Sequence, residues 1–232
     1  MATEESKIEE LRVEDITWPA RILVLGADPR SLVHIVVRLG STCKMQGVLM
    51  RPIRRSHSRL DKCFARLFVH DTYKPDLIEK MISLIEKQAP PVPWLVVTDN
   101  CFITESQSID RHARLLKLGH QNGISFIHSI SLDDCPPEQF QSTCELFDHI
   151  IVTGTNDADW RKMLFDGCLK HTIETDKHFQ LIMDLAAEKN LLIVHDRQSG
   201  RAFFIHDDDP NLDKMTRGRL LDPLNYQRHY YV

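Results

Sequence analysis

The residues of this 232-residue chain best placed to do chemistry begin at Gly26. It follows the short apolar run Ile22 to Leu25 and opens a turn, Gly26 to Arg30, ahead of a stretch from Ser31 to Leu39 that can carry a helix. A strand, a glycine and a helix in that order place a loop where a helix N-terminus can hold an anion. Gly26, Arg30 and Ser31 are therefore the candidate cofactor-binding residues: backbone N–H groups between Ala27 and Ser31 can face a phosphate, and Arg30 adds positive charge. Two neighbours oppose this, because Pro29 removes a donor and Asp28 repels an anion. A nucleoside-triphosphate loop also requires G-x-x-x-x-G-K-[ST], and the closing positions here hold Ser31, Leu32 and Val33. The frame for phosphate is present without its lysine and hydroxyl.

Other candidates are weaker. Asp99 ends an apolar run and either caps the following segment or hydrogen-bonds to Thr98 or Ser131. Cys101 stands just past it, where a nucleophile could sit, but no histidine base is identifiable for it and a small buried side chain explains it as well. His34 reads as a packed or hydrogen-bonded side chain. His120, His128 and His149 could gather at neighbouring strand ends, but they lack the spacing of a metal motif. His206 with Asp207 to Asp209 reads as a solvated turn before a hard-cation site. The one concentrated basic run is Arg51, Arg54, Arg55, Arg59, Lys62 and Arg66, with Asp61 its single acid. It is the candidate surface for DNA or an acidic partner, against the plainer reading of a solvated loop.

Composition narrows the classes. Charged residues make up 27% and the formal net charge is −4, which argues against disorder and against a globally basic nucleic-acid coat. The six cysteines include no C-x-x-C pair, and no signal-peptide pattern opens the chain, so reduced thiols in an intracellular, non-secreted protein are expected. No apolar run approaches the roughly 18 residues of a membrane span, and no membrane partner is expected.

These candidates need elements to position them. Residues 1–19 form an acidic extension, read as a frayed or short amphipathic helix and closed by Pro19. A domain over residues 20–206 follows, and a tail over 207–232 carries Tyr226, Tyr230 and Tyr231. Met45 to Met50, Leu67 to His70, Trp94 to Thr98, Ile124 to Ile130 and Ile150 to Val152 read as strands. Helices are expected at Lys74 to Lys87, Asp110 to Gly119, Glu138 to Glu145, Trp160 to Leu169 and His178 to Lys189. Strands alternating with helices imply right-handed crossovers and a mostly parallel sheet in a three-layer α/β sandwich. Leu191 to Val194 and Ala202 to Ile205, across the turn Asp196 to Gly200, are expected to form an antiparallel hairpin at one edge.

Taken in order, GADPRSLV, LFVHDTYKPDLIEKMISLIEKQ, WLVVTDNC, GHQNGISFIHSIS, FDHIIV and NLLIVHD resemble the genome-packaging ATPases of nucleocytoplasmic large DNA viruses, nearest to the iridovirus and poxvirus-like proteins. The resemblance spans about residues 20–205 and implies a P-loop NTPase-like fold of the additional-strand (FtsK/HerA) type. It also implies ring oligomers and ATP-driven DNA packaging. The active-site positions depart from that pattern. The lysine and the magnesium-binding hydroxyl fall on Leu32 and Val33, and the paired acids fall on Asp99 and Asn100. Asp99 keeps a carboxylate suited to a metal, whereas the amide of Asn100 is no base. The family's Gly-Arg-His falls on Gly119, His120 and Gln121, and its glutamine sensor on Ser131.

The resemblance with these losses implies a pseudo-ATPase: a catalytically inactive, packaging-ATPase-like viral protein acting as a structural, assembly or interaction factor, with no cofactor expected. Its expected partners are viral proteins, such as an active packaging ATPase or a capsid component, or further copies of itself. Its expected place is the host cytoplasm, the viral assembly site or the virion. Two alternatives stand beside this: a non-specific DNA-binding protein of packaging, and a divergent magnesium-dependent ATPase in which Arg30 replaces the lysine and Asp99 holds the metal.

Overall fold

The computed structural model describes residues 9–12, 15–26, 29–43, 46–52, 58–64, 68–87, 93–100, 106–131, 137–173 and 175–206. Its centre is a run of mostly apolar parallel strands, in keeping with burial on both faces. In chain order the elements are β1 (Glu9–Glu10), β2 (Arg21–Leu25), α1 (Pro29–Cys43), β3 (Gln46–Met50), α2 (Ser58–Lys62), β4 (Val69–His70), α3 (Pro75–Ile85), β5 (Trp94–Asp99), α4 (Ser106–Gln121) and β6 (Ile124–Ile130). Then come α5 (Pro137–Cys144), β7 (His149–Thr153), α6 (Ala158–Leu164), a π-helical turn (Phe165–Leu169), α7 (Asp176–Lys189), β8 (Leu191–Asp196) and β9 (Arg201–His206).

Among the described residues the sheet has nine strands in the order β1-β9-β8-β7-β2-β6-β5-β3-β4. From β7 to β4 every pairing is parallel, while β8 is antiparallel to both β7 and β9. The expected hairpin is thus present, and β8 joins it to the parallel sheet. Alternation along each strand divides the core into two layers. Ile22 and Val24 of β2 pack with α1 and α2 on one face. Leu23 and Leu25 pack on the other, with α3, α4, α5, α7 and the π-helical turn. Every residue of β6 is buried. Helix entries are set locally: the Asp157 carboxylate accepts from Trp160 N at 3.0 Å to cap α6, and the Thr175 hydroxyl accepts from His178 N at 3.2 Å to cap α7.

Two expectations fail for physical reasons. Part of the acidic N-terminal stretch is a strand, not a helix. Glu9 and Glu10 pair parallel with Phe203 and Phe204, and Leu11 N donates to Phe204 O at 2.8 Å, because β9 would otherwise leave its outer backbone groups unpaired. The helix read across Trp160 to Leu169 changes at Phe165 into a π-helical turn, in which Lys170 N bonds Phe165 O at 2.8 Å. Other elements match the expected strands and helices within a few residues at each end. Among the described residues no helix is long and apolar enough to cross a membrane.

Candidate functional site

In an open parallel sheet the loops at the carboxyl ends of the strands are where ligands bind. Here that edge brings together Gly26 after β2, Asp99 and Asn100 at the end of β5, Ser131 after β6 and Thr153 at the end of β7. Gly26 has φ +128°, a conformation that L side chains rarely adopt, and a Cβ built there would overlap the Thr153 hydroxyl. Its amide donates to Ile130 O at 3.3 Å, and the Thr153 hydroxyl donates to Leu25 O at 3.3 Å. The glycine therefore lets three strand ends close on one another.

Immediately after it, α1 carries the positions that a phosphate loop assigns to lysine and hydroxyl. Ser31, Leu32 and Val33 are buried at 1%, 2% and 1% exposure, and Leu32 and Val33 belong to the apolar cluster that includes Ile22, Val24, Leu49 and Val97. Neither side chain carries a donor. The chemistry of these residues does not fit a magnesium nucleotide held in the phosphate-loop manner. Arg30 lies in α1 but its side chain is outside the described residues, as are Ala27 and Asp28. His34 is buried on the same helix, in keeping with a packed side chain.

The β5 and β6 side of the edge is polar. Asn100 has φ +48° and bonds in three directions: its backbone N donates to Ser129 O at 2.8 Å, its side-chain N donates to Asp99 Oδ1 at 3.1 Å, and its Oδ1 accepts from the backbone N of Ser131. An amide suits this place because it both gives and accepts, whereas a second carboxylate could not donate to Asp99. The structure thus puts Asp99, Asn100 and Ser131 together, with Asp99 2% and Ser131 4% exposed. The Asn100 donation to Asp99 differs from the cap and the Thr98 or Ser131 contacts expected for that carboxylate.

Behind Asp99 lies a layer that the sequence did not reveal. Thr98 Oγ1 and His128 Nδ1 share a hydrogen bond of 2.5 Å, the rings of His128 and His112 meet edge-on with centroids 4.7 Å apart, and His112 Nδ1 is hydrogen-bonded to the Tyr73 hydroxyl. Burial pushes the His128 imidazolium pKa down to about 3. His112 is held well below the ordinary histidine value by burial and by its neighbour His128. Both rings are therefore neutral at pH 7. The available signal for His112 was its helical spacing to Leu115 and Leu116, which are also buried. Arg161 was missed as well. It steadies the loop after β7 by donating to Thr155 O at 2.6 Å and pairing with Asp184 at 2.7 Å.

The three histidines expected at neighbouring strand ends do not gather. His128 is inside β6, His149 opens β7 beside Asp196 (3.6 Å), and His120 Nε2 lies 2.9 Å from Pro19 O. Pro19 precedes β2, so His120 stands at the opposite end of that strand from Gly26. A residue at that position cannot face the phosphate loop of its own chain. Among the described residues no group of three or more His, Cys, Asp or Glu side chains is placed to hold a metal ion.

The basic run is also smaller than its sequence suggests. Arg51 is 8% exposed and forms a two-pronged ion pair with Asp61, at 2.6 Å and 2.5 Å, so it does not present its charge to solvent. Ion pairing with the single acid of the run, ten residues on, accounts for its burial. Lys62 is exposed at the end of α2. Arg54, Arg55 and Arg66 lie outside the described residues, and so does the side chain of Arg59. Cys101, Asp207 to Asp209 and the 207–232 tail lie outside them too.

No protein-family model matches this chain, and no curated protein matches it. Solved structures do. The genome packaging NTPase B204 of Sulfolobus turreted icosahedral virus 2, in complex with ATP-gammaS, aligns with TM-score 0.51 and 14% identity over 82% of this chain and 98% of its own. The same NTPase in complex with sulfate aligns with TM-score 0.55 and 12% identity over 82% and 97%. ATPases 2 and 3 of Thermomonospora curvata EccC, in complex with a signal sequence peptide, align with TM-score 0.50 and 15% identity over 81% of this chain and 36% of that one. At such identities the likeness speaks for architecture alone, and with the strand order and the antiparallel edge it establishes that this chain has the mostly parallel P-loop NTPase-like fold found in genome-packaging NTPases.

Proposed function

We propose that this chain is a packaging-ATPase-like viral protein that does not hydrolyse nucleotide and acts through protein contacts, as a structural or assembly factor. The observation that carries this reading is the burial of Leu32 and Val33 in the apolar layer under α1, at the positions where nucleotide chemistry needs a lysine and a hydroxyl. Each missing charge-assisted hydrogen bond would have contributed roughly 1.5–3 kcal/mol to phosphate binding, so losing even two weakens affinity by orders of magnitude. Asn100 supports the same reading, because its amide ties β5 to β6 at the position where the paired-acid pattern places the second acid. Contact with self-copies or with other virion proteins is what remains for a retained scaffold of this kind. The DNA-binding alternative is weakened by the Arg51–Asp61 pair, which removes one cation from the candidate surface.

The deciding measurement is calorimetric titration of the purified protein with ATP and magnesium, alongside phosphate release. No heat and no phosphate up to millimolar nucleotide is the expected result. Saturable binding at micromolar concentration, with turnover abolished by Asp99→Ala, would overturn the proposal in favour of a divergent ATPase.

A further inference from the structure

Cys144 is the last residue of α5, and Cys168 lies in the π-helical turn that follows α6. Their Sγ atoms are 2.9 Å apart, less than about 1 Å beyond the ~2.05 Å of a disulfide bond. Both are free thiols, 3% and 9% exposed. They nonetheless line the wall of a cavity of about 280 Å³, shared with Gln141, Thr172, His195 and Arg197. The surrounding structure holds the two elements together. Arg197 Nη1 donates to the carbonyls of Cys144 (3.2 Å), Glu145 (2.7 Å) and Phe147 (3.1 Å), fixing the end of α5. Across from it, Gly167 lies so close to α5 that a Cβ there would come within 2.8 Å of the Phe140 ring. A π-helical turn, a geometry that recurs at functional sites, thus sets Cys168 against Cys144 at the cavity wall.

We propose that Cys144 and Cys168 form a thiol–disulfide exchange site, which closes to an intrachain disulfide on reaction with a low-molecular-weight disulfide entering the cavity. Cys168, the more exposed, is the entry nucleophile. As thiolate it attacks one sulfur of the small disulfide, the S–S bond breaks, and one small thiol leaves with the proton that Cys168 gave up. Cys144 then loses its proton and attacks the Cys168 sulfur of the mixed disulfide, expelling the second small thiol. The two protein thiols lose two electrons and two protons, and the small disulfide gains both. The hydrogen bond to Cys168 and burial hold the Cys144 thiol well above the ordinary cysteine range, which disfavours it as the entry nucleophile, whereas in the second step the Cys168 thiol that raises it has been consumed and the 2.9 Å separation presents Cys144 to the mixed disulfide. Cys63, whose thiol is pushed up to about 12 by burial and by Asp61, provides an internal control.

The test is incubation of the full chain with bis(2-hydroxyethyl) disulfide, alkylation with iodoacetamide and peptide mass spectrometry. A Cys144–Cys168 cross-linked peptide with Cys63 alkylated is the expected outcome, together with a melting temperature raised by about 5–10 °C and restored by dithiothreitol. Cys144→Ser should accumulate the mercaptoethanol adduct at Cys168, while Cys168→Ser should leave Cys144 largely unmodified. Full alkylation of both cysteines in the wild-type chain, or an adduct at Cys144 that forms as fast in Cys168→Ser, would overturn the proposal. The wild-type cross-link decides the matter even if a variant fails to fold.

Discussion

The two halves of the carboxyl edge are packed in different ways. On the α1 side, Leu32 and Val33 fill the positions of polar phosphate contacts with apolar atoms, and they are packed as tightly as any core residue. On the β5 and β6 side, polar groups remain, but they bond to each other: Asn100 to Asp99 and Ser131, Thr98 to His128, Tyr73 to His112. The first half cannot be given charge without breaking the core. The second can change its charge only by disturbing a hydrogen-bonded bracket between two strands. One half is apolar packing and the other a hydrogen-bonded bracket, so the two should respond differently to substitution.

The largest expected effect is Leu32→Lys, which restores the lysine that a phosphate loop needs. It would place an uncompensated charge among Ile22, Val24 and Val97 and destabilise the fold by about 4 kcal/mol in urea titration, without creating turnover. A stable Leu32→Lys protein that binds ATP would erase the distinction between the halves, because it would mean that this position opens to the loop. Next comes Gly26→Ala, at about 3 kcal/mol, combining positive-φ strain with the Thr153 overlap. Adding Thr153→Ala should recover the steric share only. Full recovery in this double-mutant cycle would show that φ at Gly26 is not constrained.

Asn100→Asp probes the polar half and should cost about 2 kcal/mol at pH 7. The new carboxylate still accepts from Ser131 N, but it loses the donor to Asp99 and sets a second negative charge, at a half-buried position, beside the buried Asp99. Because the cost is electrostatic, it should shrink as pH falls and a carboxyl takes up a proton, whereas the Leu32→Lys cost should not. Equal pH responses of the two variants would remove the contrast.

The sequence reading succeeded where one element carries its own signal. The buried strand Trp94–Asp99 was legible from its apolar run Trp94 to Val97, and the β8–β9 hairpin from two apolar runs across a turn ending in glycine. That Leu32 and Val33 carry neither a lysine nor a hydroxyl was read from their identity alone, and the structure adds that both are buried. What stayed hidden depends on contacts between elements. A two-residue strand such as Glu9–Glu10 has no period, and only the open edge of β9 selects it. The Asn100 bracket requires knowing that β6 lies beside β5, and the basic run looked uniformly exposed because Arg51 and Asp61 meet only after α2 folds back. The π-helical turn differs from a helix by one residue, which leaves no mark in composition.

The smallest effect per unit of change is also the one that tests the hidden histidine layer. His128 and His112 have pKa values lowered by burial, so the folded protein resists protonation that the unfolded chain accepts near pH 6.5. Above that pH neither state binds these protons and the contribution to stability is complete. As pH falls below 6.5 the unfolded chain takes up protons first, and stability is lost at about 1.4 kcal/mol per pH unit for each fully shifted histidine, down to about pH 3 for His128. Melting temperature should therefore fall steadily between pH 6.5 and 5, and His128→Gln should flatten that slope whatever it does to stability at neutral pH. An unchanged slope would mean that the ring is protonated within the fold. The layer behind Asp99 would then carry charge, and the polar half of the edge could no longer be described as closed upon itself.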